Sequence, residues 1–349
     1  MASPSFESAL RLASAAEVER TLRLARAPLV VEAVCSRVQP QPSLHLPGAV
    51  LVALEDIDVA LEDAPGQPSR VSGNYSLRPA GELRAALEAA GISHTRPVVV
   101  YTQAIKLGGL DLAVACRLCW ALALAGVQHV SLLAGGARAW VQAGFELTPE
   151  AGVPTPCDFF HDCAPQPFPL HPEYGAGTAE VENAVAALSA ERRGVQLGDV
   201  RSWREFIGDA HDYPFPLPFG RIPGARWAHW GPSTYVGGDF FALDTGALHP
   251  LEQTAALWRD WGLDLGEGRI VFYCGSGWRS AVAWCLARLL GHTDCASYDG
   301  GFLEWSLLDA RAAEHPIARG VPGQQPLAST STMLDAPTAL PAPTPSVCT

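Results

Sequence analysis

The sequence predicts an α/β chain built from two successive parallel-sheet halves. Three observations carry that prediction. The chain repeats itself once, each copy alternates short β-rich runs with longer helical ones, and a proline-rich stretch separates the copies. With 349 residues there is length for two domains of ordinary size, each with its own core.

The repeat rests on four segment pairs in the same order. Ala16-Glu17-Val18-Glu19 returns as Ala179-Glu180-Val181-Glu182, and His45-Leu46-Pro47-Gly48-Ala49 as Arg221-Ile222-Pro223-Gly224-Ala225. Val98-Val99-Val100-Tyr101 returns as Ile270-Val271-Phe272-Tyr273, and Gly135-Gly136-x3-Trp140 as Gly300-Gly301-x3-Trp305. The expected organisation is an N-terminal domain over 1–150, a linker over 151–177, a C-terminal domain over 178–315 and a tail over 320–349. The linker is read from Pro154, Pro156, Pro165, Pro167, Pro169 and Pro172, since proline lacks the backbone donor that helix and central strand require. The tail is rich in Pro, Ser, Thr and Ala and is expected to stay disordered, having little apolar surface to offset the entropy of ordering.

In the second copy each element has its own signal. Thr178 is an N-cap candidate before a helix with Val181, Val185 and Leu188 on one face. Val195–Val200 reads as a strand. Leu251–Trp261 reads as a helix directing Leu257, Trp258 and Trp261 to the core. Arg269–Tyr273 reads as a buried strand, and Ser280–Leu290 as a helix that Gly291 can close.

The formal charge is −12, and Lys106 is the only lysine. That balance excludes a sequence-independent grip on nucleic acid, which needs clustered cations. No apolar run approaches the length of a membrane span. Val114–Val127 is too short, and Arg117 interrupts it. Met1–Leu12 lacks a basic start followed by an apolar run, so no secretory signal is expected. Nine cysteines, an odd number scattered over a long chain, fit reduced thiols and a cytoplasmic location better than a disulfide framework.

The segment that carries chemistry is Arg269–Leu290: a strand, then Cys274-Gly275-Ser276-Gly277-Trp278-Arg279-Ser280, then a helix. Ligands of open α/β sheets bind beyond the C-terminal strand ends. A helix N-terminus leaves backbone N–H groups without intrahelical partners, and glycines let the preceding turn fold into an anion cradle. A cysteine at the rim of such a cradle is favoured as thiolate, with Arg279 as the nearby cation and Ser276 and Ser280 as hydroxyl donors. A thiolate in this role is expected to be reachable from solvent.

These residues resemble the active-site loop of the rhodanese sulfurtransferases. The second copy adds Gly198-Asp199-Val200-Arg201-Ser202, Gly220-Arg221-Ile222-Pro223-Gly224-Ala225 and Tyr298-Asp299-Gly300-Gly301-Phe302-x2-Trp305, which are similar to that family's other landmarks. The resemblance is weak over 16–148 and strong over 178–310. It implies two rhodanese-like domains, each a parallel five-stranded sheet with helices on both faces. It implies double displacement through a persulfide on Cys274, with no cofactor beyond that covalent sulfur and no metal. It implies as partners a small-molecule sulfur donor and a thiophilic acceptor such as cyanide, a thiol or a thiol-bearing protein, with no nucleic acid and no membrane. The first copy has Thr102 in place of Cys274, and its following segment is seven residues longer. Threonine cannot carry a persulfide, so that half is expected to be inactive.

Four residues lie between Cys274 and Arg279, whereas cysteine phosphatases on the related fold use five, so the shorter loop suits a single sulfur. The C-G-S-G opening resembles mercaptopyruvate sulfurtransferases. Arg279 resembles rhodaneses that take thiosulfate, since a guanidinium can pair with sulfonate oxygens, and the balance favours thiosulfate. A persulfide carrier serving only a protein partner is the alternative of another class. Trp278 is expected to wall the pocket. Arg204 is a candidate donor ligand or a plain salt bridge. Arg201 is a candidate donor ligand or ion-pairing residue, with Asp199 orienting it or the loop. Arg221 and Arg226 are expected to be solvated. Cys116-x2-Cys119 reads as core packing in an apolar helix, Cys285 as buried, and Cys157 and Cys163 as linker thiols able to pair. His229 is a candidate for the pocket edge.

Overall fold

The computed structural model describes residues 9–36, 44–59, 76–103, 109–192, 194–210, 213, 217–244, 246–307 and 315–322. The tail beyond 322 lies outside the described residues.

The first half runs β1 (Ala9–Ala13), α1 (Ala15–Leu22), β2 (Leu29–Val34), β3 (Val50–Ala53), α2 (Leu54–Ile57), α3 (Ala80–Ala89), β4 (Val98–Tyr101), α4 (Leu110–Ala125), β5 (His129–Leu133) and α5 (Gly136–Gln142). The second runs β6 (Gly175–Ala176), α6 (Thr178–Ser189), β7 (Val195–Asp199), α7 (Trp203–Ile207), β8 (Arg226–Trp227), α8 (Leu251–Asp260), β9 (Arg269–Tyr273), α9 (Trp278–Leu289), β10 (Cys295–Tyr298) and α10 (Gly301–Leu307). Each half forms a parallel five-stranded sheet, in the orders β1-β5-β4-β2-β3 and β6-β10-β9-β7-β8. The two orders are the same once the strands of each half are counted from its own start.

The central strands are apolar on both sides because helices cover both faces. In β4, Val98 and Val100 face one core while Val99 and Tyr101 face another, and in β9 Ile270 and Phe272 oppose Val271 and Tyr273 in the same manner. The core containing Val98, Val100, Ile270 and Phe272 is common to both halves, which meet through α4 and α9. This is why α4 is apolar nearly all round: one side packs on its own sheet and the other on α9. Among the described residues no helix is long and apolar enough to cross a membrane.

Equivalent bonds recur in the two halves. Tyr101 donates from its hydroxyl to Glu32 Oε2 (2.6 Å) and accepts from Leu46 N (3.0 Å), as Tyr273 donates to Asp199 Oδ2 (2.8 Å) and accepts from Ile222 N (3.1 Å). The indoles of Trp140 and Trp305 each donate to a backbone carbonyl, of Glu146 and Pro316.

Several boundaries differ from expectation. The α6 N-cap is Gly177, and Thr178 instead bonds Tyr298 Oη (2.7 Å) and Glu304. Helix α9 begins at Trp278, two residues before the predicted start, because Gly277 takes the left-handed cap position at φ 85°. Of the three residues directed to the core from α8, only Trp258 is fully buried; Leu257 and Trp261 are half-buried. The proline-rich linker is a docked strap: Phe159 and Phe160 are buried, Cys157 N donates to Glu88 O (3.0 Å), and His94 N donates to Phe159 O (2.9 Å). Strand β6 starts inside its predicted bounds. Cys157 and Cys163 are free thiols.

Candidate active site

Strand β9 delivers Cys274 to the C-terminal edge of the second sheet, between β10 and β7. The loop turns at once into α9, whose first N–H groups lack intrahelical partners. Its carbonyls are tied from behind. Phe302 N donates to Cys274 O (2.7 Å) and Leu303 N to Gly275 O (2.9 Å) at the start of α10. A Cβ on Gly301, which has φ 59°, would stand 2.6 Å from Gly275 O and 2.8 Å from Cys274 O. The second glycine of the Gly-Gly motif therefore lets α10 approach the loop. In the first half Ala137 N donates to Thr102 O (3.0 Å) in the same way, and Gly136 has the same close approach to Thr102. Thr102 thus occupies the position of Cys274.

Around Cys274, Sγ lies 3.9 Å from Ser280 Oγ. Ser280 donates its own proton to Gly277 O (3.0 Å) and also meets Ser297 Oγ (2.8 Å). Its hydroxyl proton is therefore committed to the loop, and Ser276, half-buried at the loop's tip, is the freer hydroxyl.

Arg279 is buried, and its guanidinium forms a fork with Glu205: Nη1 to Oε2 at 2.9 Å and Nη2 to Oε1 at 3.1 Å. It also contacts the Tyr213 hydroxyl. Burial pushes the Glu205 carboxyl up, but the adjacent Arg279 outweighs it and holds the group at about 2. Burial disfavours charge on Arg279, yet Glu205, Tyr213 and Cys274 together keep its pKa well above the usual value. The expectation that Arg279 binds the donor's oxygens is corrected accordingly, since its fork already holds a carboxylate. Its charge and the Cys274 thiol interact electrostatically.

Cys274 itself is only 1% exposed, contrary to expectation. The phenol ring of Tyr213 lies on Gly275, in the space a Cβ there would need, and Trp230 stands 5.9 Å from the Arg279 guanidinium. Burial pushes the Tyr213 hydroxyl well up, so it stays protonated.

Most of the other candidates are engaged with partners of their own. Asp199 and Arg201 are buried and spent on each other, with Nε–Oδ1 at 2.8 Å and Nη2–Oδ2 at 2.7 Å. Arg201 further donates to Gly220 O (2.7 Å) and stacks over Phe302 (4.2 Å), so this pair braces the sheet edge and does not present a free cation. Arg204 is exposed and paired with Asp209 (2.9 Å), which is the plain salt bridge. Arg221, expected to be solvated, is buried and donates to Phe206 O (3.2 Å) and Gly320 O (2.7 Å); Arg226 is exposed. His229 stacks on Trp227 (3.8 Å) and faces Asp239 (3.3 Å). Trp278 directs its indole N–H to Asp58 Oδ2 (3.0 Å) in the first half. Cys116, Cys119 and Cys285 are buried at the α4–α9 contact, where burial raises Cys119 and Cys285 well above an ordinary thiol.

Sequence reading missed Glu205, Tyr213, Ser297, Asp58 and Arg117. Only Glu205 had a local signal, as the acidic residue of the capping box begun by Ser202. The others approach the loop through the tertiary fold.

A model of the rhodanese-like domain matches residues 182–308. YnjE of Escherichia coli K12, named a thiosulfate sulfurtransferase, is 33% identical over 242 residues, covering 69% of this chain and 51% of YnjE, so the match spans about half of that relative. The crystal structure of YnjE superposes with a TM-score of 0.71 at 27% identity, covering 91% of this chain and 70% of that one. SseB of Mycobacterium tuberculosis H37Rv, provisionally named a thiosulfate sulfurtransferase, is 33% identical over 281 residues, covering 79% of this chain and 84% of SseB. The anaerobic ergothioneine biosynthesis enzyme from Chlorobium limicola, solved with its natural substrate trimethyl histidine, superposes with a TM-score of 0.75 at 27% identity, covering 89% and 71%. With the matching domain model, the two like sheets and a relative covered over most of its length, this chain belongs to the rhodanese family.

Proposed function

We propose that this chain is a sulfurtransferase that moves sulfane sulfur from thiosulfate to a thiophilic acceptor through a persulfide on Cys274. The supporting observation is the placement of Cys274 at the end of β9, beside the N-terminus of α9, and the names that YnjE and SseB carry support thiosulfate as the donor. The Cys274 thiolate attacks the outer sulfur of thiosulfate, an S–S bond forms, and sulfite leaves with the electron pair of the bond that breaks. Cyanide or an acceptor thiolate then attacks the outer persulfide sulfur, and the Cys274 thiolate departs with its pair. The helix-terminal N–H groups and Arg279 stabilise the thiolate at both ends of the cycle. Thr102 offers no such sulfur, so the first half carries no persulfide at the equivalent position. Tyr213 must shift from Gly275 for a donor to reach the sulfur.

Glu205 supports mercaptopyruvate as a second reading. It neutralises Arg279, and a nearly neutral loop suits a monoanionic donor better than a dianion. The test is kcat/KM for both donors with wild type and Cys274→Ser, together with intact-mass measurement after each donor. The expected result is a 32 Da adduct on wild type and turnover that vanishes in the variant. Equal turnover by Cys274→Ser would remove the proposal.

A further inference from the structure

The first half, with Thr102 where the second has Cys274, reaches the catalytic loop through a buried ion cluster. Arg117 is fully buried in α4, and its guanidinium bridges two carboxylates of different halves: Asp58 just after α2 (Nη2–Oδ1 2.8 Å, Nε–Oδ1 3.2 Å) and Asp299 just after β10 (Nη1–Oδ1 2.5 Å). Asp58 also accepts the indole proton of Trp278, the first residue of α9 (3.0 Å). Asp299 accepts in addition from Leu77 N of the first half (2.7 Å). The enclosed backbone is the loop itself. A Cβ on Gly277 would lie 2.7 Å from Asp299 O and 3.0 Å from Arg117 Nη1. The guanidinium therefore rests against the left-handed glycine that starts the cradle.

This cluster makes a poor stability device. Burial raises the Asp58 carboxyl to about 6 even with Arg117 alongside, so the cost of burying that charge is not fully returned. In some proteins such buried clusters hold one arrangement against others.

Building on the persulfide reading above, we propose that Arg117 and Asp58 are positioning residues. They clamp the catalytic loop through Trp278 and Asp299, so that the first half sets the loop geometry that stabilises the Cys274 thiolate. The clamp does not touch the sulfur. Among the described residues, Arg279 of α9 and Tyr213 are the ionisable groups that interact electrostatically with Cys274, with Glu205 of α7 behind Arg279.

Two variants that leave formal charge unchanged test the clamp in the full chain. Arg117→Lys keeps the charge and loses the fork, and Trp278→Phe loses the indole donor while keeping an aromatic ring. The readout is the pH profile of Cys274 alkylation by iodoacetamide, followed on the Cys274 peptide by mass spectrometry, with thiosulfate kinetics alongside. Both variants should raise the midpoint of alkylation by half a pH unit or more and lower kcat about tenfold or more, as displacements of about an ångström do. A midpoint unmoved in Arg117→Lys, with only a lower melting temperature, would reduce the cluster to a structural contact and overturn the proposal. Trp278→Phe is the milder change, and an unmoved midpoint there overturns it equally if Arg117→Lys does not fold. Alkylation needs no turnover. A wild type that turns over neither thiosulfate nor mercaptopyruvate and gains no 32 Da adduct from either, but whose midpoint still moves in the variants, would refute the persulfide reading and leave the clamp standing.

Discussion

Replacing Glu205 by glutamine should destabilise the chain by about 3 kcal/mol at neutral pH. Glutamine still serves in the capping box with Ser202, so the change isolates the carboxylate charge opposite Arg279. The size follows from the site: Glu205 falls from an ordinary 4.5 to about 2, and each pH unit is worth about 1.4 kcal/mol. That agrees with the ~3–5 kcal/mol lost when a buried pair is broken from one side. The pH dependence has a definite sign. A depressed folded pKa stabilises fully above the unfolded value of 4.5, and this contribution is lost as pH falls toward about 2. The difference between wild type and Glu205→Gln should therefore shrink to about half between pH 5 and pH 3. Urea unfolding followed by tryptophan fluorescence at several pH values measures it. A difference under about 1 kcal/mol at pH 7, or one equal at pH 5 and pH 3, would refute the assignment of Arg279 to Glu205.

Two other substitutions separate the remaining roles. Arg204→Ala removes an exposed pair with Asp209 and should change stability by less than about 1 kcal/mol; its thiosulfate kcat/KM should stay within about twofold of wild type, and a tenfold loss in steady-state assays would restore Arg204 as a donor ligand. Gly301→Ala forces a Cβ against the carbonyls of Cys274 and Gly275 from a left-handed backbone and should lower both melting temperature and turnover. Gly136→Ala makes the equivalent clash at Thr102 and should lower melting temperature alone; equal loss of turnover in both would contradict the division of labour between the halves.

The sequence by itself determined whatever is contiguous or periodic. The β9–loop–α9 segment carries its strand, its glycines and its helix within about twenty neighbouring residues, and local sterics dictate that turn. The doubled Val98–Tyr101 and Ile270–Tyr273 runs announced two like sheets, because a strand covered on both faces has to be apolar throughout. Which charges are free was beyond the sequence, because an arginine's role depends on the carboxylate that meets it. Arg201 met Asp199 two residues away, but Arg279 met Glu205, 74 residues earlier, and Arg117 met Asp299, 182 residues later. Tyr213 on Gly275 and Asp58 against Trp278 arrive the same way, by packing between distant segments. Tertiary structure decided these pairings because burying a charge is tolerable only where the fold supplies its counter-charge.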